Sequence, residues 1–236
     1  MANEVLEISG RFNGPLDSGN GGYSAGAIAG LLGGVAEVSL RAPVPLDTRL
    51  EVEREDDDSL RLLDGETLVA EACAVSGPEI DLPQPVSVEQ AREAAGRYRG
   101  LAEGVFSRCF VCGRAREDSF GVFAGAVEGR DVVASPWTPP AWTADGAGNV
   151  RSEFVWAVLD CPTYFAAYKD EDLVLSVLGR MTARVDGPVA VGEEHVVVAW
   201  PIATEGRKRH AGAAVMSAGG RPLAIARALM IELRSQ

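Results

Sequence analysis

The feature that most limits what this chain can become is that it says one thing twice. Residues 35–76 read VAEVSLRAPVPLDTRLEVEREDDDSLRLLDGETLVAEACAVS, and residues 178–233 read LGRMTARVDGPVAVGEEHVVVAWPIATEGRKRHAGAAVMSAGGRPLAIARALMIEL. Each stretch begins with an apolar strand and a Pro-containing turn. A strand with an acidic entry and a charged hairpin follow, and then a last strand of small and branched residues. A short apolar or small-residue helix precedes each copy, at 22–33 and 153–168. A period this long predicts two related halves rather than a solenoid.

The pattern within each half is strand, helix, then four strands. Val5 to Phe12 alternates as a strand does. The turn-rich run from Asn13 to Gly22 leads into a helix over Tyr23 to Leu32, with Gly26 and Gly30 four apart. Glycine costs a helix about 1 kcal/mol each, so close approach to a curved sheet is the expected return. Residues 77–85 hold three prolines and form a crossover, and Ser87-x-x-Gln90 is a capping-box pattern that opens a connecting helix over Val88 to Arg99. In the second half, Phe120 to Val127 and Val132 to Ser135 read as strands. A Trp-Pro insertion then leads to Ser152, a candidate cap for the helix FVWAVLDCPTYFAAY. That helix is apolar on nearly every side and must be buried all round. The expected class is α+β, with boundaries at 1–77, a linker at 78–105 and a second unit at 106–236.

With 236 residues, 47% of them hydrophobic, two ordinary cores are affordable. A net charge of −12 argues against nucleic acid and against an anionic membrane surface as partners. The acidic run from Glu53 to Asp58 reads as a solvated hairpin tip. No run of about 18 apolar residues is present, and MANEVLEISG lacks the basic and apolar regions of a signal peptide, so a cytoplasmic location is the default expectation. Four cysteines do not make a disulfide framework in a chain of this length.

Several stretches together resemble the hotdog-fold superfamily of acyl-CoA thioesterases and dehydratases, in its double-hotdog form. They are FNGPLDSGNGGYSAGAIAGLL with VSLRAPVPLDTRLEV, then SEFVWAVLDCPTYFAAY with MTARVDGPVAVGEE and RPLAIARALMIEL. The resemblance implies two antiparallel sheets, each wrapped around a central helix and paired into one body. It also implies further assembly into a homo-oligomer, and a site between the two units. There, the N–H groups of a Gly-led helix start polarise a thioester carbonyl, and a carboxylate from the partner helix acts as base or nucleophile. The physics is sound: a helix N-terminus offers unpaired donors and a partial positive charge to an oxyanion.

Laid on that template, the two helices have complementary defects. The first has Asn20-Gly21-Gly22 but only Ile28, Ala29 and Gly30 where an acid would sit. The second has Asp160 but only Ser152 and Glu153 where glycines would sit. One composite site would keep both parts, and its mirror would keep neither. The implied catalytic set is Asp160, Gly21 and Gly22, with Thr163 one turn on as a partner for substrate or water. Asn20 and Tyr23 flank the loop. Trp137 and Trp142 are candidates for a pocket lid, and Arg207 and Arg209 could meet the phosphates of coenzyme A.

Competing readings stand beside each of these. Asp160 could cap a new helical segment before Pro162, which cannot continue a helix comfortably. The glycines could simply form a turn, and the basic cluster Arg207 to His210 a solvated hairpin. Trp156 reads as core. Cys109-x-x-Cys112-Gly113 could be half of a zinc site or a redox pair, but no second pair at ligand spacing follows, so a turn is the preferred reading and no metal or organic cofactor is expected. No histidine sits at a helix start near an Asp, as dehydratases of the superfamily would need. The related double-hotdog thioesterases also place a Gln on the last strand, and LAIARALMIEL has none; Thr182 is a loose candidate for their hydroxyl. The expected activity is therefore thioester hydrolysis. A non-catalytic acyl-CoA or lipid binder is the alternative.

Overall fold

A computed structural model describes residues 4–55, 58–100 and 103–234. Asp56 and Asp57 of the acidic run lie outside the described residues. The first half contains β1 (Val5–Glu7), α1 (Gly21–Gly30), β2 (Ala36–Leu40), β3 (Arg49–Arg54), β4 (Ser59–Asp64) and β5 (Thr67–Ala74). A connecting helix, α2 (Val88–Ala95), follows. The second half contains β6 (Gly125–Ala126), β7 (Val133–Trp137), α3 (Ser152–Ala167), β8 (Ser176–Val185), β9 (His195–Glu205), β10 (Lys208–Ser217) and β11 (Pro222–Glu232).

Where two sheets were expected, the strands form one, in the order β1-β3-β4-β5-β2-β8-β11-β10-β9-β7-β6. Read outward from its middle, each side runs through the same sequence of roles. The strand after the helix lies innermost, then the last strand of the half, then the two strands of the hairpin before it. The seam is the antiparallel pair β2 and β8, from Ala36 opposite Ala183 to Ser39 opposite Arg180. Pairing two innermost edges removes unsatisfied backbone donors and acceptors from both.

The helices α1 and α3 pack on each other inside the curve of this sheet. Phe154 to Asp160 of α3 are buried without interruption, as a helix apolar on every side requires. The close approach anticipated for the glycines is real, but helix meets helix rather than sheet, and the pair involved is Gly22 and Gly26. A Cβ on Gly22 would lie 2.5 Å from the Asp160 Cβ and 2.6 Å from the Trp156 carbonyl oxygen. One on Gly26 would lie 2.8 Å from the Glu153 Cα. Gly30 has open space around it. On the outer face of the second half, α2 buries Val88, Ala91 and Ala94 against Val196, Val198 and Trp200. Its capping box is formed by Ser87 and Gln90.

Some local expectations gave way to competing hydrogen bonds. β1 ends at Glu7, because Asp47 Oδ1 accepts from the Gly10 N–H at 2.8 Å and residues 10–12 turn into a short 3-10 helix. Only Gly125 and Ala126 of the stretch from Phe120 to Val127 are strand. Gly121 sits at φ +67°, and the Phe123 N–H turns to Ser135 Oγ at 2.9 Å. α2 stops at Gly96 rather than Arg99. Ser152 is the first residue of α3 and not its cap; Arg151 holds that position without a side-chain hydrogen bond.

Candidate functional site

The site grows from the first turn of α1. Asn20 has extended backbone and caps the helix, its Oδ1 accepting from the Tyr23 N–H at 2.9 Å. The next orphan donor of the turn, the Gly22 N–H, reaches across to α3 and donates to Asp160 Oδ2 at 2.8 Å. Asp160 therefore caps a helix, though it is α1 and not a segment of its own. Among the described residues no protein acceptor is placed on the Gly21 N–H. A side chain at Gly22 would push the two helices apart, and one at Gly21 would push α1 off β8, since its Cβ would lie 2.8 Å from the Leu178 Cβ.

Asp160 is 6% exposed. Burial is the main influence on its carboxyl group and pushes the pKa up from 3.8 to about 7; the Gly22 N–H pulls it back, and the nearby Cys109 sulfur adds to the rise. This is a carboxylate held close to half-ionised at neutral pH, the state in which it serves best as a proton acceptor.

Asp160 and Gly21 open onto a cavity of about 550 Å³. Its wall is mostly apolar, with Phe106, Tyr164, Phe165, Leu178, Met230 and Ile231 prominent. β8 and β11 supply one side and the first turn of α1 the other. At the rim stand Val105, Leu175 and Leu233, each more than 40% exposed. A volume of this size accommodates a substantial organic group.

Not every expected residue joins this site. Thr163 is fully buried and its hydroxyl donates to the Asp160 carbonyl oxygen at 2.6 Å, one turn back in its own helix. Tyr23 is turned away from the cavity into an aromatic cluster, stacked on Phe12 at 4.3 Å. Trp137 is buried against Phe120 and His195, and Trp142 lies under the Arg11 guanidinium and meets Phe154 edge to face; neither forms a lid over the cavity. Arg209 is held by Glu232 at 2.8 Å and Glu171 at 3.0 Å and lies over the Tyr168 ring, while Arg207 donates to the Glu232 carbonyl oxygen. Neither arginine lines the cavity, and Arg209 is charge-paired within the fold. Thr182 donates to Glu37 across the seam. Trp156 is core, as read.

The residue that sequence reading passed over is Cys161. It follows Asp160 on α3 and brings a third thiol to Cys109 and Cys112; the three sulfurs lie within 4.8 Å of one another. All three line the cavity. The Asn20 Nδ2 group lies 3.7 Å from the Cys109 sulfur and 3.6 Å from the Cys161 sulfur, which ties the cluster to the α1 cap. The signal was present as a cysteine beside the buried acid of an apolar helix, but its partners are remote in the chain.

Comparison with known proteins adds the fold. No protein-family model matches the sequence, and no curated protein matches it. Solved structures do. A protein of unknown function with the hot dog fold from Alicyclobacillus acidocaldarius superposes with a TM-score of 0.64 at 12% identity, covering 98% of this chain and 93% of that one. A Thermobifida fusca protein assigned as a thioesterase II gives 0.58 at 12%, covering 99% and 96%. The tesB protein of Mycobacterium avium subsp. paratuberculosis gives 0.55 at 11%, covering 85% and 78%. This chain has the hotdog fold.

Proposed function

We propose that this protein is a double-hotdog thioesterase that hydrolyses an acyl-CoA or related thioester at one composite site between its two units. The observation that supports this most strongly is the Gly22 N–H to Asp160 contact, whose carboxylate lines an apolar cavity. It joins the glycines of one half to the acid of the other, the combination that the complementary defects of the two helices call for.

In this reading the acyl chain lies along Phe165, Leu178 and Met230, and its carbonyl oxygen faces the Gly21 N–H. That donor is already fixed by the helix, so it stabilises the oxyanion without reorganisation. Ionised Asp160 takes a proton from a water molecule, the hydroxide adds to the thioester carbon, and a tetrahedral intermediate forms. Collapse breaks the carbon–sulfur bond. The thiolate then recovers the proton held on Asp160, which restores the carboxylate. Gly22 keeps the carboxylate aimed throughout. No charged side chain of the Arg207 hairpin is needed, because those arginines are engaged elsewhere.

A non-catalytic acyl-thioester binder is the second reading. It is favoured by Thr163, whose hydroxyl is spent on its own helix and so is not offered to water. Hydrolysis of thioesters of graded acyl length, by wild type and Asp160→Asn, separates the two. Equal rates for both proteins would remove the catalytic assignment, while retained binding with no turnover in wild type would establish the binder. Assembly into a homo-oligomer belongs to the same proposal and is checked by solution mass.

A further inference from the structure

The cysteine cluster beside Asp160 does more than fill space. Cys109 and Cys112 sit on a tight turn closed by the Gly113 N–H donating to the Cys109 carbonyl oxygen at 2.8 Å. The turn has no room for a side chain at its end: a Cβ on Gly113 would lie 2.5 Å from that oxygen and 2.6 Å from the Cys109 nitrogen. Cys161 approaches from α3, its sulfur 3.8 Å from that of Cys109.

That separation is informative. Four ligands at the usual zinc–sulfur length of about 2.3 Å make a tetrahedron whose edges are about 3.8 Å. A disulfide needs about 2.05 Å. Cys109 and Cys161 thus stand at the edge length of a soft-metal site rather than at that of a bonded pair, and the Cys112 sulfur lies within 4.8 Å of both. The Asn20 amide beside two of the sulfurs is the kind of outer hydrogen-bond donor that orients thiolate ligands and offsets their charge. The fourth corner is not supplied by a cysteine, because Cys73, the remaining one, is exposed on β5.

We propose that Cys109, Cys112 and Cys161 bind one soft divalent ion of the zinc type, with the fourth coordination position open to the cavity and filled by a water molecule or a small thiolate. Binding releases a proton from each thiol that is not already ionised, and no oxidant or reductant takes part. The ion joins the turn at 109–113 to α3, two segments that are otherwise connected by packing. The assignment stands whether or not the cavity hydrolyses thioesters, since its readout is the metal itself.

The test uses the full-length protein, reduced and stripped of metal, titrated with cobalt(II) as a spectroscopic probe and then with zinc(II). One cobalt per chain, with sulfur-to-cobalt charge-transfer bands, tetrahedral visible absorption and displacement by zinc, is the expected result. Cys112→Ser and Cys161→Ser should each weaken zinc binding by about 100-fold or more, and Cys73→Ser should leave it unchanged. A small thiol added to the cobalt form should shift the visible bands. A reduced wild-type protein that shows no sulfur-to-cobalt bands overturns the proposal. So does binding that survives both serine substitutions, or that is lost with Cys73→Ser.

Discussion

The two ends of the α1–α3 pair are built from the same plan and finished differently. At one end, the start of α1 has a side-chain cap from Asn20, a glycine at each of the next two positions and a buried carboxylate across from it. At the other, the start of α3 has no side-chain cap; Glu153 pairs with Arg151 at 3.5 Å, and Arg151 lies over the Phe154 ring at 4.7 Å. Around that second end Phe12, Trp142 and Phe154 pack together. One end keeps a polar group and a cavity, and the other is closed with aromatic rings. Under the proposed function, the difference teaches that two similar halves do not by themselves make two sites. The contact with Gly22 needs an acid opposite it, and only one helix supplies one.

The comparison breaks most readily at Asp160. In Asp160→Asn the amide oxygen can still accept from Gly22, so the fold should persist while hydrolysis falls by about 10²–10⁴-fold, the usual worth of a positioned base. Steady-state rates together with a melting curve would show this split; a loss of folding instead would reduce Asp160 to a structural role.

The next effect is on pH dependence. Between about pH 4 and 7 the folded chain keeps a proton on Asp160 that the unfolded chain has released, because the folded value is raised from 3.8 to about 7. Stability from this group is therefore complete below pH 4 and is lost as pH rises through 7, by up to about 4 kcal/mol. The Asn variant lacks this loss, so its stability relative to wild type should increase over that interval in denaturant titrations. The rate should show the opposite dependence, rising with pH through a midpoint near 7 as the base ionises.

Gly22→Ala should cost about 1–3 kcal/mol and most of the activity, because the added methyl group meets Asp160 and the Trp156 carbonyl group. Gly30→Ala, in open space at the other end of the same helix, should instead stabilise by about 0.5–1 kcal/mol. Urea unfolding of the two variants side by side checks the contrast. Smallest of all should be Glu153→Gln, with hydrolysis changed less than about two-fold and stability within about 0.5 kcal/mol. A large rate loss there would mean that the second end also works.

Much of this was readable beforehand, for physical reasons. The burial of α3 follows from its apolar circumference, and the strand series follow from alternation repeated in both halves. The complementary placement of Gly22 and Asp160 could be read because the resemblance to the hotdog superfamily supplies a template for both helix positions. What could not be read depends on contacts between distant segments. Trp137, Trp142 and Tyr23 have the chemistry of a pocket wall, but their rings were claimed by neighbours such as Phe12, Phe120 and Phe154. Arg209 was claimed by Glu171 and Glu232, which arrive from outside its own strand. Cys161 escaped notice because metal-ligand spacing is sought within a motif, and its partners come from a turn before the insertion.

The sheet has a consequence beyond the site it cradles. Its terminal strands are the shortest in the molecule, Val5–Glu7 at one margin and Gly125–Ala126 at the other, and the Arg97 guanidinium donates to the Ala126 carbonyl oxygen at 2.8 Å. A broad sheet of branched and small residues is the sort of surface on which foreign strands accrete into fibrils. The two short strands offer few unpaired backbone groups to serve as a template, whereas β9 continues from Trp200 to Glu205 beyond its pairing with β7. Strand addition in concentrated solutions of the folded chain should thus start at this stretch of β9 rather than at the two short terminal strands.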